Sequence, residues 1–370
     1  VKPTVAVGMS GGVDSSVAAA LLKEQGYNVI GITLQISPRE IEDEDYGGCC
    51  SLSSINDARR VCDKLGIPFY VLNFRELFAE KVIDYFCQSY LRGETPNPCI
   101  ACNKEIKFEA FLRKARALGA DYIATGHYAR RKYDEQRGRW LLRKGVDQRK
   151  DQSYVLYTFT QEQLAHTLFP LGEMVKEQTR ELARKLELPV ANKPESQEIC
   201  FVPDDDYGAF LEEKLGEQIK PGPFLDRQGR VLGQHKGIVH YTIGQRKGLG
   251  IALGKPMFVV DIDPERNAVI LGEAEEVYSD RLVADELNLI SLPVLNQPVE
   301  VEAKIRYAAR PAPALVRPLG EKAGNGEQVL VEFKEPQRAI TPGQAVVFYQ
   351  GEYVLGGGVI RKLPLQICKP

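Results

Sequence analysis

The chain has 370 residues, 44% apolar and 26% charged, with 48 Lys and Arg against 50 Asp and Glu for a net charge of −2. That balance excludes a disordered polyelectrolyte and a uniformly basic nucleic-acid coat, although a local basic patch stays compatible with it. No apolar run approaches the roughly 20 residues that span a bilayer, so no membrane partner is expected.

The start, Val1-Lys2-Pro3-Thr4-Val5, reads as a strand with no signal peptide before it. Residues 4–126 then alternate strand and helix. Thr4–Val7 is a short apolar run, and residues 14–25 carry helical spacing with Gly26 as the stop. Residues 29–34 read as a buried strand. Ser53 or Ser54 is the expected cap of a helix running to Leu65, and residues 68–72 form the next strand. Helical stretches near 75–90 and 104–118 precede a strand over 121–125. This alternation predicts an α/β fold built on a parallel sheet, with ligands at the carboxyl ends of its strands.

Residues 128–145 read as a hairpin. Arg130 to Lys150 holds nine Lys or Arg and three Asp or Glu, a local +6. Helical periodicity returns through Leu186. From Gly222 on, short β-type runs broken by Gly, Pro, Asn and Asp predict a small β-rich central domain and a C-terminal β-barrel. The expected domains are 1–207, 208–280 and 281–370.

Ser10-Gly11-Gly12-Val13-Asp14-Ser15-Ser16 joins the first strand to the first helix. Two glycines let backbone N–H groups converge on an anion, and the helix N-terminus adds its positive dipole. The plainer alternative is a tight turn followed by a capped helix. No Gly-Lys-Ser/Thr closes the loop, so it is not a Walker A motif. The string S-G-G-x-D-S is instead similar to the PP-loop signature of the ATP pyrophosphatase superfamily, whose loop holds the pyrophosphate portion of ATP.

The cysteines are Cys49, Cys50, Cys62, Cys87, Cys99, Cys102, Cys200 and Cys368. They are too sparse for a secreted disulfide scaffold and suit a reducing compartment, the cytoplasm or an organelle interior. Around Cys99 and Cys102 the string T-P-N-P-C-I-A-C-N-K is Pro-punctuated, which predicts a helix beginning only near Asn103. Cys102 is thereby expected at a helix N-terminus beside Lys104, a setting that favours the thiolate. The Cys99-x-x-Cys102 spacing suits redox or metal chemistry. A zinc site lacks a second pair, since adjacent Cys49-Cys50 is a poor substitute; an iron–sulfur cluster could take Cys99, Cys102 and Cys200.

Further strings complete a pattern: T-P-N-P-C-x-x-C-N-K-E-I-K-F (95–108), D-Y-I-A-T-G-H-Y-A (121–129), K-D-Q-S-Y (150–154), E-S-Q-E-I-C-F (195–201), Y-T-I-G-Q-R-K-G-L (241–249) and T-P-G-Q-A-V-V-F-Y (341–349). With the glycine loop, their order and spacing closely resemble the tRNA-specific 2-thiouridylase family over residues 5 to 362. The resemblance implies that ATP, with Mg²⁺, adenylates the C2 oxygen of the wobble uridine in a tRNA anticodon, and that a persulfide sulfur then displaces AMP. Activation divides one hard displacement into two easier ones.

The resemblance carries over residue by residue. Gly8, Met9, Ser10, Gly11, Gly12, Val13, Asp14 and Ser15 match the ATP loop, with Leu34 and Gly126 as further ATP contacts. Cys200 matches the persulfide carrier and Cys102 the second catalytic cysteine, which finishes as its disulfide partner. Asn97, Pro98 and Cys99 match the segment touching the target base; Lys150, Asp151, Gln152, Arg306 and Tyr307 match tRNA contacts. Many members carry Asp at the position of Cys99, proposed as an acid/base group. A thiol leaves that role without its carboxylate and offers a third ligand to the cluster alternative. The implied partners are the anticodon stem-loop and a sulfur-donor protein such as a cysteine desulfurase or sulfur carrier.

His127 follows Gly126 at a strand end, where a phosphate or ribose contact and a structural hydrogen bond are both open. His235 and His240 read as mainly structural. The +6 stretch is expected to meet the tRNA backbone, with Tyr133 and Trp140 as stacking faces and a strong salt dependence. The target base is expected to flip out of its stack towards Cys102 and Cys200. The acidic run from Arg39 to Asp45 reads as a solvated loop. Two other functions compete: a sulfur-independent PP-loop ligase, and a non-catalytic RNA-binding module with a relict loop.

Overall fold

The computed structural model describes residues 2–36, 52–194, 199–252 and 254–363. Cys49, Cys50, Cys368, the acidic run and residues 195–198 lie outside the described residues. The chain divides into two compact units. One holds residues up to Ile83, Pro98–Asp205 and Glu352–Val354; the other holds Asp84–Asn97, Asp206–Gly351 and the chain from Leu355 on.

In the first unit, β-branched apolar runs make strands β1 (Thr4–Gly8), β2 (Asn28–Gln35), β3 (Phe69–Asn73) and β4 (Tyr122–Ala124). The hairpin of β5 (Ala129–Asp134) and β6 (Arg139–Lys144) follows, then the short β7 (Thr167–Leu168). The sheet order is β3-β2-β1-β4-β7, with every pair parallel. Central β1 buries Val5, Ala6 and Val7 completely, so it reads as a continuous apolar run and not as an alternating one. Its two neighbours lie on opposite sides, which makes its carboxyl end a topological switch point, the usual crevice for a ligand. Helix α1 (Val13–Glu24) starts there, packs Val17, Ala18 and Ala19 into the core, and stops before Gly26 at φ +88°.

Two expected helix starts are corrected. Ser53 and Ser54 lie inside α2 (Leu52–Leu65), not before it, and the Ser54 hydroxyl accepts from Lys193 Nζ at 3.3 Å. The helix carrying the cysteines begins at Pro98, not near Asn103, and runs through Pro98–Ala101, a π-helical Cys102–Ala110 and Phe111–Ala117. The wide turn is seen where Phe111 N–H donates to the Ile106 carbonyl, five residues back. Proline restricts the residue before it, Asn97, and fits the first helical position itself, where no N–H is needed.

In the second unit, β8 (Gly222–Leu225), β9 (Val231–His235), β10 (Phe258–Asp263) and β11 (Ala268–Gly272) form a sheet ordered β10-β11-β8-β9. Strands β12 (Tyr278–Leu289), β13 (Val299–Lys304), β14 (Ala312–Pro318), β15 (Val329–Arg338), β16 (Ala345–Gln350) and β17 (Tyr353–Arg361) run β12-β15-β14-β13-β16-β17, and β17 pairs back onto β12. That closure makes a six-stranded barrel without open edges, filled by Val301, Val331, Val346 and Phe348. The expected α/β sheet domain, β-rich central domain and C-terminal barrel are thus all present. Among the described residues no helix is long and apolar enough to cross a membrane.

Candidate nucleotide and thiol site

The loop between β1 and α1 is held open from both sides. Met9 N–H donates to the Ile32 carbonyl at 2.8 Å, and Thr33 Oγ1 donates to the Met9 carbonyl at 2.8 Å, so β2 fixes the loop's first residue. Ser16 Oγ donates to the Gly12 carbonyl at 2.7 Å, while Ser10 and Ser15 share a 3.2 Å hydroxyl contact. Gly11 sits at φ +70°, and a side chain there would strike the Ser54 carbonyl of α2. A Cβ on Gly126 would stand 2.7 Å from Ser15 N and 2.8 Å from Asp14 Cβ. Gly11 and Gly126 are therefore glycine for lack of room as well as for loop shape. Leu34 lies near the carboxyl end of β2, in register with Leu72.

Asp14, in the first turn of α1, has partners that sequence reasoning missed. Lys176 Nζ donates to both of its carboxylate oxygens, at 2.7 and 2.8 Å, and the Tyr128 hydroxyl donates to Oδ1 at 2.9 Å. Lys176 opens the helix Lys176–Lys185 and is 6% exposed. Tyr128 lies in the quoted D-Y-I-A-T-G-H-Y-A string; Lys176 lies in no motif, and its 162-residue separation from Asp14 gave no local signal.

Cys99 is exposed in the first turn of the helical run, and Cys102 is buried in its second. The N-terminal dipole therefore acts on Cys99 more directly than on Cys102. Lys104 pairs with Glu105 at 3.5 Å. Asn103, buried next to Cys102, donates from Nδ2 to the Val155 carbonyl at 3.4 Å, while its Oδ1 has no hydrogen-bond partner among the described residues. Cys200 is half-buried in a turn, and its neighbour Phe201 packs edge-on to Phe78 at 5.7 Å. Upstream, Lys193 Nζ pairs at 2.8 Å with Asp57 of α2, the helix that Gly11 abuts. Among the described residues no group of three or more His, Cys, Asp or Glu is placed to hold a metal ion. Cys62 and Cys87 are buried elsewhere, their thiols pushed up to about 12 and about 11 by burial and by Asp63 and Asp84 respectively.

The expected tRNA contacts divide. Asp151 accepts from Gly145 N–H at 2.9 Å and from Ser153 Oγ at 2.8 Å, and Gln152 Oε1 accepts from Tyr128 N–H at 3.0 Å, so both side chains brace their own loop. Lys150 lies in the turn just before them. Part of the basic stretch is paired on folding. Arg130 and Arg143 pair with Glu352 at 2.7 Å, Arg137 with Asp134 at 2.9 Å and Arg149 with Glu177 at 2.8 Å. Arg131 lies over Trp140 at 4.4 Å, covering one face of that ring, while Tyr133 is 46% exposed. His127 Nδ1 lies 2.8 Å from Thr125 Oγ1, and burial with nearby Lys107 lowers its pKa well below the ordinary value. His235 accepts from Gly237 N–H at Nδ1, 3.1 Å away, and burial likewise lowers its pKa and that of His240.

In the second unit Arg306 and Tyr307 follow β13, with Tyr307 44% exposed. Arg306 Nη2 donates to the carbonyl of Arg338, which lines a cavity of about 580 Å³ with Arg246, Lys247, Phe258 and Tyr278. Thr95 is a meeting point for two motifs. Its N–H donates to the Pro342 carbonyl at 2.8 Å, its carbonyl accepts from Gln344 Nε2 at 2.8 Å, and its hydroxyl lies 3.4 Å from Thr242 Oγ1. Glu94 pairs with Arg361 at 2.9 Å. The strings over 241–249 and 341–349 thus hold the strap that leads into Asn97, Pro98 and Cys99.

A parallel sheet with a glycine loop and a helix N-terminus at its switch point defines an α/β fold of the nucleotide-binding class. Family models described as tRNA methyl transferase HUP domain, tRNA methyl transferase PRC-barrel domain and Aminomethyltransferase beta-barrel domain match residues 3–204, 208–273 and 279–360. A tRNA-specific 2-thiouridylase MnmA of Carboxydothermus hydrogenoformans is 62% identical over 363 residues, 98% of each chain. Its namesake from Clostridioides difficile is 56% identical, covering 97% of this chain and 98% of its own. The chain belongs to the tRNA-specific 2-thiouridylase family.

Proposed function

We propose that this chain is an ATP-dependent tRNA 2-thiouridylase. The observation that carries the reading is family membership over nearly the whole chain together with an intact anion loop, closed by Gly126 against Asp14 and Ser15. In this reading Gly8 to Ser15 hold the ATP phosphates, with Leu34 and Gly126 completing the nucleotide site. The uridine O2 attacks the α-phosphorus and pyrophosphate leaves. The terminal sulfur of a Cys200 persulfide then bonds to C2, and AMP departs with the former carbonyl oxygen. The Cys102 thiolate attacks the inner sulfur, releasing 2-thiouridine and leaving a Cys102–Cys200 disulfide for a dithiol to reduce.

Asp14 already has Lys176 and Tyr128 as partners, so Mg²⁺ would be held chiefly by phosphate oxygens and water, its common habit. An iron–sulfur route would need Cys99, Cys102 and Cys200 gathered around the metal, an arrangement not found among the described residues, and no step is assigned to it. A cysteine desulfurase or sulfur carrier supplies the persulfide. Anticodon contacts come from Asn97, Pro98 and Cys99, and further tRNA contacts from Lys150, Asp151, Gln152, Arg306 and Tyr307. The cationic, aromatic-lined cavity beside Arg306 supports contact with a polyanion. The reaction places the protein with tRNA in the cytoplasm or an organelle interior.

The test incubates the protein with tRNA, ATP, Mg²⁺ and a sulfide or desulfurase source, then applies nucleoside mass spectrometry. The expected result is 2-thiouridine at the wobble position, with AMP and pyrophosphate in equal amounts. Thiolation without ATP, or pyrophosphate release with no sulfur in the tRNA, would contradict the reading.

A further inference from the structure

The string over 241–249 carries two adjacent cations, Arg246 and Lys247, on an exposed loop of the second unit. Hydrogen bonds fix that loop on both sides of Arg246. Gly244 N–H donates to the Val259 carbonyl at 2.8 Å, and Val259 N–H returns to the Gln245 carbonyl at 2.9 Å, so β10 holds the loop's entry. Gln245 Oε1 accepts from Thr242 N–H, and its Nε2 donates to the Lys247 carbonyl, both at 3.0 Å. Gly244 sits at φ +87°, and a Cβ there would stand 2.6 Å from the Ala339 Cβ at the end of β15.

A third cation joins them. Arg338, the last residue of β15, lies opposite Tyr278 at the start of β12. Its Nη2 donates to the Gly244 carbonyl at 3.1 Å, and its guanidinium carbon lies 5.7 Å from the centre of the Phe258 ring. Arg246, Lys247, Arg338, Phe258 and Tyr278 line one cavity of about 580 Å³, and Tyr278 is 50% exposed. Among the described residues none of the three cations has a carboxylate partner. The acids flanking Ala274, which also lines the cavity, are mostly engaged: Glu276 pairs with Arg227 at 2.6 Å and Glu273 with Lys255, leaving Glu275. Three like charges around one cavity repel one another and leave a positive potential that an anion relieves.

The aromatic wall narrows the choice of anion. Free phosphate uses the cations alone. A nucleotide of single-stranded RNA uses both features, its phosphate on guanidinium and ammonium donors and its base face on the tyrosine. The cavity has the volume of a small-molecule site. Its place along the RNA follows from the strap: Thr242 Oγ1, at the start of the loop, lies 3.4 Å from Thr95 Oγ1, two residues before Asn97.

We propose that Arg246, Lys247 and Arg338, with Tyr278 and Phe258, form a second nucleotide site that takes the phosphate and stacked base of a nucleotide flanking the wobble uridine. This rests on the reading that the chain acts on a tRNA anticodon. A flanking nucleotide held out of its stack gives the anchor against which the target base is everted. Phosphate and π-face contacts carry no base code, so the site serves every substrate tRNA alike.

The experiment measures, on the full chain, affinity for an anticodon stem-loop over a series of salt concentrations, with ATP affinity and thermal unfolding as controls. Arg246→Gln with Lys247→Gln is expected to weaken binding about tenfold and to lower the slope of log Kd against log salt by about 0.7. Tyr278→Ala is expected to weaken it about fivefold and Tyr278→Phe less than about twofold. Lys220→Gln with Lys322→Gln, an equal charge change on exposed lysines that do not line the cavity, is expected to leave the affinity within about twofold. Stem-loops carrying 5-iodouridine at either position flanking the wobble base are expected to photo-crosslink to the peptides of Tyr278 or Phe258. Equal losses in the lysine control, a loss seen with whole tRNA but not with the stem-loop, or crosslinks confined to other peptides would overturn the site. Unchanged stem-loop binding, with thiolation lost only when a desulfurase replaces sulfide, would overturn it in favour of a protein partner. A parent protein that binds the stem-loop but never thiolates it would sink the function proposed above instead.

Discussion

Gly126 lies against Asp14 with no room for a methyl group: a Cβ on the glycine would stand 2.8 Å from the aspartate's Cβ. The end of β4 and the start of α1 are therefore in direct contact at the nucleotide loop. Gly126→Ala must push Asp14 and Ser15 outward, and overpacking of this kind costs about 1–3 kcal/mol. The expected outcome is a lowered unfolding midpoint together with an ATP affinity reduced about tenfold, measured by titration calorimetry. Unchanged ATP affinity would remove Gly126 from the site.

The cysteines separate by environment. Burial raises the Cys62 and Cys87 thiols to about 12 and about 11, so at pH 8 their thiolate fractions are on the order of 10⁻⁴ and 10⁻³. Both become more reactive only as pH rises towards those values. Cys99 is exposed. Brief iodoacetamide treatment of the native protein at pH 8, followed by peptide mapping, is expected to label Cys99 while sparing Cys62 and Cys87.

Gly343 tests the strap. It sits at φ +89°, and a Cβ there would come within 2.9 Å of both Glu94 Cβ and Thr95 N. Gly343→Ala combines a left-handed backbone cost of about 1–2 kcal/mol with a clash against the segment that leads to Cys99. Thiolation is expected to fall at least fivefold while ATP affinity stays within twofold, as read by nucleoside mass spectrometry and ATP titration.

Phe78 anchors the turn of Cys200 through its contact with Phe201, and it is 1% exposed. Phe78→Ala is expected to destabilise the chain by about 3–5 kcal/mol in urea unfolding. Below its unfolding temperature the variant is expected to lose thiolation more than pyrophosphate release, because the ring packs on Phe201, the neighbour of Cys200.

Local signals made part of this site legible. Paired glycines between an apolar run and a helical pattern marked the loop, because Gly11 needs its positive φ. Apolar runs marked the parallel strands, because β1 is buried along its length. The start at Pro98 was misread because the restriction on the residue before proline was extended to those after it. Lys176 was missed because its partner is 162 residues away and no periodicity encodes an ion pair. The partners of the basic stretch were not legible, because Glu352 and Glu177 are distant in sequence and reach Arg130, Arg143 and Arg149 only on folding. The roles of Cys102 and Cys200 rested on resemblance, since cysteine spacing alone left redox, cluster and buried-thiol readings open.

The most direct test of the account is a single turnover by protein charged with one persulfide equivalent, given ATP and tRNA, quenched in acid and mapped by non-reducing peptide mass spectrometry. The account predicts one wobble 2-thiouridine for each new disulfide between Cys102 and Cys200, and no thiolation by Cys200→Ser. Thiolated tRNA formed by Cys200→Ser, or formed with both thiols unaltered, would contradict it.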